Sequence, residues 1–471
     1  MSDDTTTLRR DALPRSDGVS AEEADDEFNA SSQPAHADPS DGSRHAALYP
    51  SVHLNTSIAA ATRHLGHLHV PRTFSALRNR NYRLYFFGQA VSLSGTWMQT
   101  TAQNWLVYQL TFAPFALGLL NFASQVPILL FSLFAGVVAD RVNKQHMVIV
   151  TQTLAMIQAF VLTALVVSGR VTAWQVIFLA AVLGSINAFD NPARQSFVPE
   201  IVSKADLMNA IALNSTVFNT ARILGPALGG IVVAAIGTGA AFTLNGLSFL
   251  AVLAGLLMMR VTPRPLPARG ESMWRSLAGG LGYIFGNRAL LTIVLQSSMF
   301  GIFGMSYATL MPVMADQILG LSVGGYGLLL SATGVGAVIG ALTVASLGDY
   351  KHKGRLITLA DFAFPTALFL FAASRHVVLS VLALVVTGVF MVLRNSLANT
   401  LVQISVPDEL RGRVMSVYIF MFLGMAPLGA IISGTLAQQF GAPFALEFGA
   451  VALLGSALLI VWSRPEVRRL A

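Results

Sequence analysis

Gly136–Lys144, GVVADRVNK, is a short charged stretch between two long apolar runs, and a counterpart, Asp349-Tyr350-Lys351-His352-Lys353, stands in the same place much later in the chain. The runs on either side are about 20 residues or more, the length that carries a helix across a hydrocarbon core of ~30 Å. Of the 471 residues, 54% are hydrophobic and only 11% are charged, against roughly a quarter charged in ordinary soluble domains. The composition points to a membrane protein, and the recurring loop points to one built twice.

Counting outward gives twelve spans. Six lie near 83–108, 114–138, 146–168, 173–193, 209–235 and 239–259, and six near 290–313, 325–347, 356–374, 377–401, 413–437 and 442–463. A second echo supports the duplication. Phe197-Val198-Pro199-Glu200 and Asp206-Leu207 follow the fourth span, as Leu401-Val402 and Pro407-Asp408-Glu409-Leu410 follow the tenth. The domain reading is therefore a six-helix half over 72–259, a linker over 260–289, a second half over 290–463 and a short tail, 464–471. Within the linker, Pro263, Pro265 and Pro267 favour extended backbone. Glu271 to Phe285 carries Trp274, Leu277, Leu281 and Phe285 at helical spacing, as an interfacial helix would.

Residues 1–50 hold 11 acids and 4 Lys/Arg, although the whole chain has a net charge of +7. With no sustained apolar period, 1–71 reads as a disordered acidic tail. Between the spans, alternate loops divide the cations unequally. Fourteen Lys/Arg, from Arg141 to Arg413, lie in one set of five loops, and Arg170 and Arg375 alone in the other. By the positive-inside rule both termini are cytoplasmic, in a multi-pass protein of the cell (inner) membrane. This placement accounts for the basic balance without nucleic acid. No cleavable signal peptide precedes the first span. The absence of cysteine excludes disulfides and thiolate metal sites.

The first span is unusually polar. In QAVSLSGTWMQTTAQNW, Gln89 to Trp105, the residues Gln89, Ser92, Thr96, Gln99 and Gln103 recur every three or four positions and fall on one helical face. Lipid satisfies none of them, so the face must meet protein or water. The functional reading is a translocation cavity; the alternative is hydrogen bonding between packed helices.

Charges inside the spans narrow the candidates further. Arg222 falls near the middle of span five, where an arginine costs roughly 2.5–3.5 kcal/mol. It is expected to face the cavity and bind anionic or oxygen-rich groups, or else to form a buried ion pair. Asp190 and Arg394 occupy equivalent positions in spans four and ten, each just before an asparagine. They are candidates for a gate that pairs across the midline, or for separate contacts within each half, as with Arg194. Asp140 and Arg141 suit conformational switching, the carboxylate capping a neighbouring helix N-terminus in one state. Gly136 would allow close helix approach there. Gly225, Pro226 and Gly229 in span five, with Gly336 to Gly340 in span eight, offer small-residue surfaces for packing between the halves. Asp361 and Glu447 are the remaining membrane carboxylates, either candidate proton carriers or charges at the solvated ends of spans nine and twelve.

Several motifs resemble a known family. The two parallel six-span halves match the major facilitator architecture, an all-α membrane fold with a central cavity. GVVADRVNK resembles that superfamily's loop motif between spans two and three. GPALGG, Gly225 to Gly230, resembles its exporter-associated fifth-span motif. RNRNYRLYFFGQAVSLSGTWMQ, DNPARQSFVPEIV, NSTVFNTARILGPALGG and PDELRGRVMSVY together resemble the transmembrane secretion effector branch, which includes enterobactin exporters. Ala221 and Ala345 depart from the superfamily pattern, each standing where it has a glycine. The resemblance implies a secondary active exporter of an amphiphilic small molecule such as a siderophore or drug. Such a protein works by alternating access as a proton antiporter, a monomer in the bilayer without a cofactor. An importer or facilitator of the same fold, or a non-transporting sensor or scaffold, remains the alternative. Enzyme motifs are lacking. Gly320-Leu321-Ser322-Val323-Gly324 has nucleophile-elbow spacing but no strand–turn–helix setting, and no GxxxxGK[ST] or HExxH occurs.

Overall fold

A computed structural model describes residues 74–261, 273–347 and 352–463, all within one compact unit, His69–Ala471. The acidic tail, the proline-rich part of the linker, Asp349 to Lys351 and the tail 464–471 lie outside the described residues. Among those described, every regular element is helical.

The first half comprises α1 (Arg80–Thr111), α2 (Pro114–Arg141), α3 (Lys144–Val167), α4 (Ala173–Ile201), α5 (Leu207–Ile236) and α6 (Thr238–Leu257). After the linker helix α7 (Met273–Gly286) comes α8 (Arg288–Met299), the start of the seventh span. That span continues through a π turn, Phe300–Gly304, a 3-10 turn, a single α turn and a second π turn ending at Ile318. The rest are α9 (Val323–Leu347), α10 (Lys353–Ala373), α11 (Val377–Ile404), α12 (Asp408–Leu423), α13 (Ala426–Phe440) and α14 (Ala442–Ser463). The pair α12 and α13 forms the eleventh span, broken at Gly424-Met425.

Eleven of these elements are long and apolar enough to cross a membrane. The twelfth expected span is α1, a 32-residue helix whose amides and hydroxyls lower its hydropathy. Side-chain caps set several starts. Asn79 accepts from the Asn81 and Tyr82 amides, Asn143 from His146 N, and Asn287 from Leu290 N, while Thr172 and Gln175 form a capping box on α4. α4 runs past the expected end at 193 to Ile201, where Phe197, Val198 and Ile201 are buried and Lys144 of α3 pairs with Glu200 at 2.7 Å. The linker helix is present and buries Ile284 against Val414, Val417 and Tyr418 of α12.

Packing repeats with an offset of six spans. α2 lies on α4 as α9 lies on α11, α3 on α6 as α10 on α14, and α3 on α4 as α10 on α11. Across the two halves, α5 packs on α9 and α2 packs on the eleventh span, a single contact type made twice. Its closeness depends on glycine. A Cβ on Gly327 would lie 2.5 Å from Pro226 O, and one on Gly434 would lie 3.0 Å from Pro114 O and from Gly118 Cα. These small residues let backbones touch where lipid supplies no hydrophobic drive between helices.

Candidate functional site

The two halves are joined at the end of the bundle where α1 passes into α2. Tyr108 Oη donates to Asp316 Oδ2 at 2.5 Å, linking α1 to the end of the seventh span. Next to it the Trp105 and Tyr326 rings stack 5.9 Å apart at 19°. Phe115 N donates to Gln438 Oε1 at 3.5 Å between α2 and α13, and Ser331 Oγ of α9 donates to Ile223 O of α5 at 2.7 Å. The opposite end differs. There the ion pairs Lys144–Glu200, Asp190–Arg194, Asp361–Arg394 and Asp408–Arg411 each stay within one half. The starting turns of α5 present Ile211, Ser215, Thr216 and Thr220 as exposed residues.

Arg222 sits on α5 where this junction begins. Its backbone carbonyl passes Gly334 of α9. The Nε and Nη2 atoms of Arg222 are buried and have no hydrogen-bond partner. Arg222 thus puts a charged guanidinium, with two donors that have no partner among the described residues, at the seam of the two halves.

The polar stripe of α1 has a different setting from the one its spacing suggests. Gln89, Ser92, Gln99 and Gln103 are buried. Gln99 Nε2 donates to Gln158 Oε1 of α3 at 3.0 Å, and its Oε1 accepts from Asn245 Nδ2 of α6 at 2.7 Å. Gln103 Nε2 reaches Val176 O of α4 at 3.4 Å, and Gln89 Oε1 accepts from Arg194 Nη1 at 2.6 Å. In this structure the stripe therefore binds α1 to its own half instead of lining open space. Thr96 alone stays half-exposed, its hydroxyl turned back to Ser92 O at 2.9 Å. Gln158 and Asn245 were missed by sequence reasoning, although a lone amide inside an apolar helix is itself the signal of such a bond.

Asp190 and Arg394 are not partners in this structure. Asp190 pairs with Arg194 at 2.6 Å and Arg394 with Asp361 at 2.9 Å, each inside its own half. Glu447 is half-buried on α14, with no partner among the described residues. Arg141 is exposed at the end of α2, and the Asp140 side chain lies outside the described residues. Gly136 makes no close approach here, because a Cβ placed on it would meet nothing within 4 Å. Glycine-mediated close contacts of α2 lie elsewhere, at Gly118 against α13 and at Ser124 against Gly184 of α4.

The other glycines divide by helix face. Gly225 and Gly229 receive Trp97, Met98 and Thr101 of α1, within the first half. Pro226 and Gly230 face Gly327 of α9 across the seam. Gly336 and Gly340 receive Val385 and Val389 of α11, so they pack within the second half and not between halves.

The family model described as transmembrane secretion effector matches residues 71–469. The staphyloferrin A transporter of Staphylococcus aureus is 28% identical over 76% of this chain and 90% of its own length. The multidrug efflux pump Tap of Mycolicibacterium fortuitum is 24% identical over 76% of this chain and 89% of its own. The enterobactin exporter EntS of Shigella boydii is 22% identical over 82% and 92% respectively. Among solved structures, a bacterial homolog of the human lysosomal transporter Spinster, inward-facing and unoccupied, superposes with a TM-score of 0.63. It is 12% identical, and the match covers 82% of this chain and 95% of that one.

Proposed function

The chain belongs to the transmembrane secretion effector family, a group of multi-pass membrane transporters of major facilitator fold, and we propose that it exports an oxygen-rich, amphiphilic small molecule from the cytoplasm as a proton antiporter. A siderophore fits this description, as does the chemistry named for two of its relatives. The observation that carries the reading is Arg222, whose buried Nε and Nη2 lack any partner at the seam between the halves. An anionic or carbonyl oxygen entering the seam would satisfy both donors and release the cost of the orphaned charge.

With both termini cytoplasmic, the joined end of the bundle is the outer one and the state described is inward-facing. Cargo enters from the cytoplasm, reaches Arg222 below the outer junction, and leaves after the halves rock about that level. Charge division among the loops supports this orientation. The working unit on this reading is a monomer in the inner membrane, since both halves of the cavity come from one chain.

The test is accumulation of candidate cargoes in cells stripped of their own exporters. Staphyloferrin A, enterobactin, macrolides, tetracyclines and dyes form the panel, each with and without a protonophore. Wild type is expected to lower accumulation of at least one anionic or oxygen-rich compound. Arg222→Gln, at equal expression, is expected to weaken apparent affinity for it about tenfold or more, the effect of losing one charge-assisted contact. Equal export by the variant would remove Arg222 from the site.

A further inference from the structure

Each half contains a polar junction built around corresponding residues of spans four and ten. In the first half, Asp190 of α4 accepts from Thr151 Oγ1 (2.6 Å) and Gln152 Nε2 (3.0 Å) of α3 and pairs with Arg194 one turn along its own helix. In the second, Arg394 of α11 donates Nε to Asp361 Oδ1 of α10 at 2.9 Å, and Nη1 and Nη2 to Ser297 Oγ of α8 at 3.3 Å each. Its guanidinium carbon lies 4.5 Å above the Phe300 ring. Asp190 and Arg394 stand at the same distance from the starts of corresponding helices in the two repeats.

The junctions differ in where acid and base stand. Asp190 and Arg194 belong to one helix, so removing the carboxylate's charge breaks no ion pair between helices. Asp361 and Arg394 belong to different helices, and their ion pair is a link between α10 and α11. Arg394 is 1% exposed and keeps its charge at any accessible pH. Neutralising Asp361 therefore leaves a buried cation without its counter-ion, a state that α11 relieves by moving. Gln296 completes the site. It is 5% exposed and lines the same small recess as Asp361, while its own Oε1 is buried with no donor among the described residues. A protonated Asp361 supplies the missing donor once Arg394 has withdrawn.

We propose that Asp361 is the proton-binding carboxylate of the transport cycle and that Arg394 reports its charge to α11. The proposal rests on the antiport reading given above. A proton taken from outside forms the O–H bond on Asp361 and displaces the Arg394 N–H···O contact. Once the halves have returned to the inward-facing state, that proton leaves to the cytoplasm and the ion pair re-forms. The surrounding elements add few competing charges. Tyr418 faces the junction from α12, and α14 contributes Leu453, with Glu447 six residues earlier. On α10 itself the nearest cation is Arg355, six residues before Asp361.

Infrared titration of the full-length purified protein in detergent tests this directly. A protonated-carboxyl stretch that persists above about pH 6, where ordinary carboxylates are ionised, is expected in wild type, Asp190→Asn and Glu447→Gln, and is expected to vanish in Asp361→Asn. Should that variant fold poorly, Asp361→Asn combined with Arg394→Gln removes both charges and is expected to lack the stretch as well. No such stretch in wild type, or one unchanged in these variants, overturns the proposal. So does protonophore-sensitive efflux of staphyloferrin A or enterobactin by Asp361→Asn at the wild-type level. Wild-type efflux that ignores the protonophore would defeat the antiport reading instead, and the infrared result would still decide whether Asp361 takes a proton.

Discussion

Gln99 shows what an amide does inside a membrane helix. It is 1% exposed and uses both ends of its side chain, one on α3 and one on α6. Replacing it with leucine removes two hydrogen bonds and leaves Gln158 and Asn245 facing each other without it. Bonds of this kind between membrane helices average about 0.6 kcal/mol, and an orphaned buried group costs roughly 1–3 kcal/mol. Gln99→Leu is therefore expected to destabilise by about 1–3 kcal/mol in detergent melting, with apparent cargo affinity unchanged. Lower affinity with unchanged melting would return Gln99 to the cavity. The polarity of this face was legible from spacing alone. Its direction was not, because a stripe of amides looks the same whether the next surface is water or a glutamine on another helix.

Among the elements, α5 and α9 show how residues on one helix serve two neighbours. On α5, positions 225 and 229 face α1, while 226 and 230 face α9. The sequence marks all four as small, and only the helix rotation assigns each to a partner. Gly327→Leu places a side chain against Pro226 O, whereas the Cβ added by Gly324→Ala meets only Ser322 Oγ, 3.8 Å away. The first substitution is expected to weaken the joined end by roughly 1–3 kcal/mol, the usual penalty of overpacking, and the second to have little effect. Spin labels at Ser168 and Arg375, one in each half, would show the change as a longer distance for Gly327→Leu alone. Equal distances in both variants would mean that the seam does not depend on this contact. The seventh span has no such simple sequence signal. Its π and 3-10 turns begin at Phe300, beside the Arg394 guanidinium, a place where irregular helix geometry commonly accompanies function.

For the whole molecule, the question is which end of the bundle is closed. Tyr108 and Asp316, with the Trp105–Tyr326 stack, join the two halves at the end where α1 meets α2. A hydrogen bond to a carboxylate is worth about 1.5–3 kcal/mol, and each 1.4 kcal/mol changes a two-state ratio about tenfold. Tyr108→Phe is expected to move the population toward the form open at this end by roughly tenfold or more. The readout is the same label pair across the halves. The chain contains no native cysteine, so labels can be placed without background. An unchanged distance distribution would assign the closure to the other contacts between the halves.

Run length, loop charge and the repeated DRVNK and DYKHK loops were enough to determine a membrane protein of two six-span halves, because those properties are local and the bilayer acts on each span separately. Tertiary structure alone decided which polar groups meet. It turned the α1 stripe inward, kept Asp190 and Arg394 inside separate halves, and left Arg222 with two unpaired donors. The physical cause is that lipid forbids an unsatisfied polar group without saying how it is to be satisfied. A neighbouring helix, a proton or a cargo molecule can each do so, and only the rotation and packing of the helices select among them.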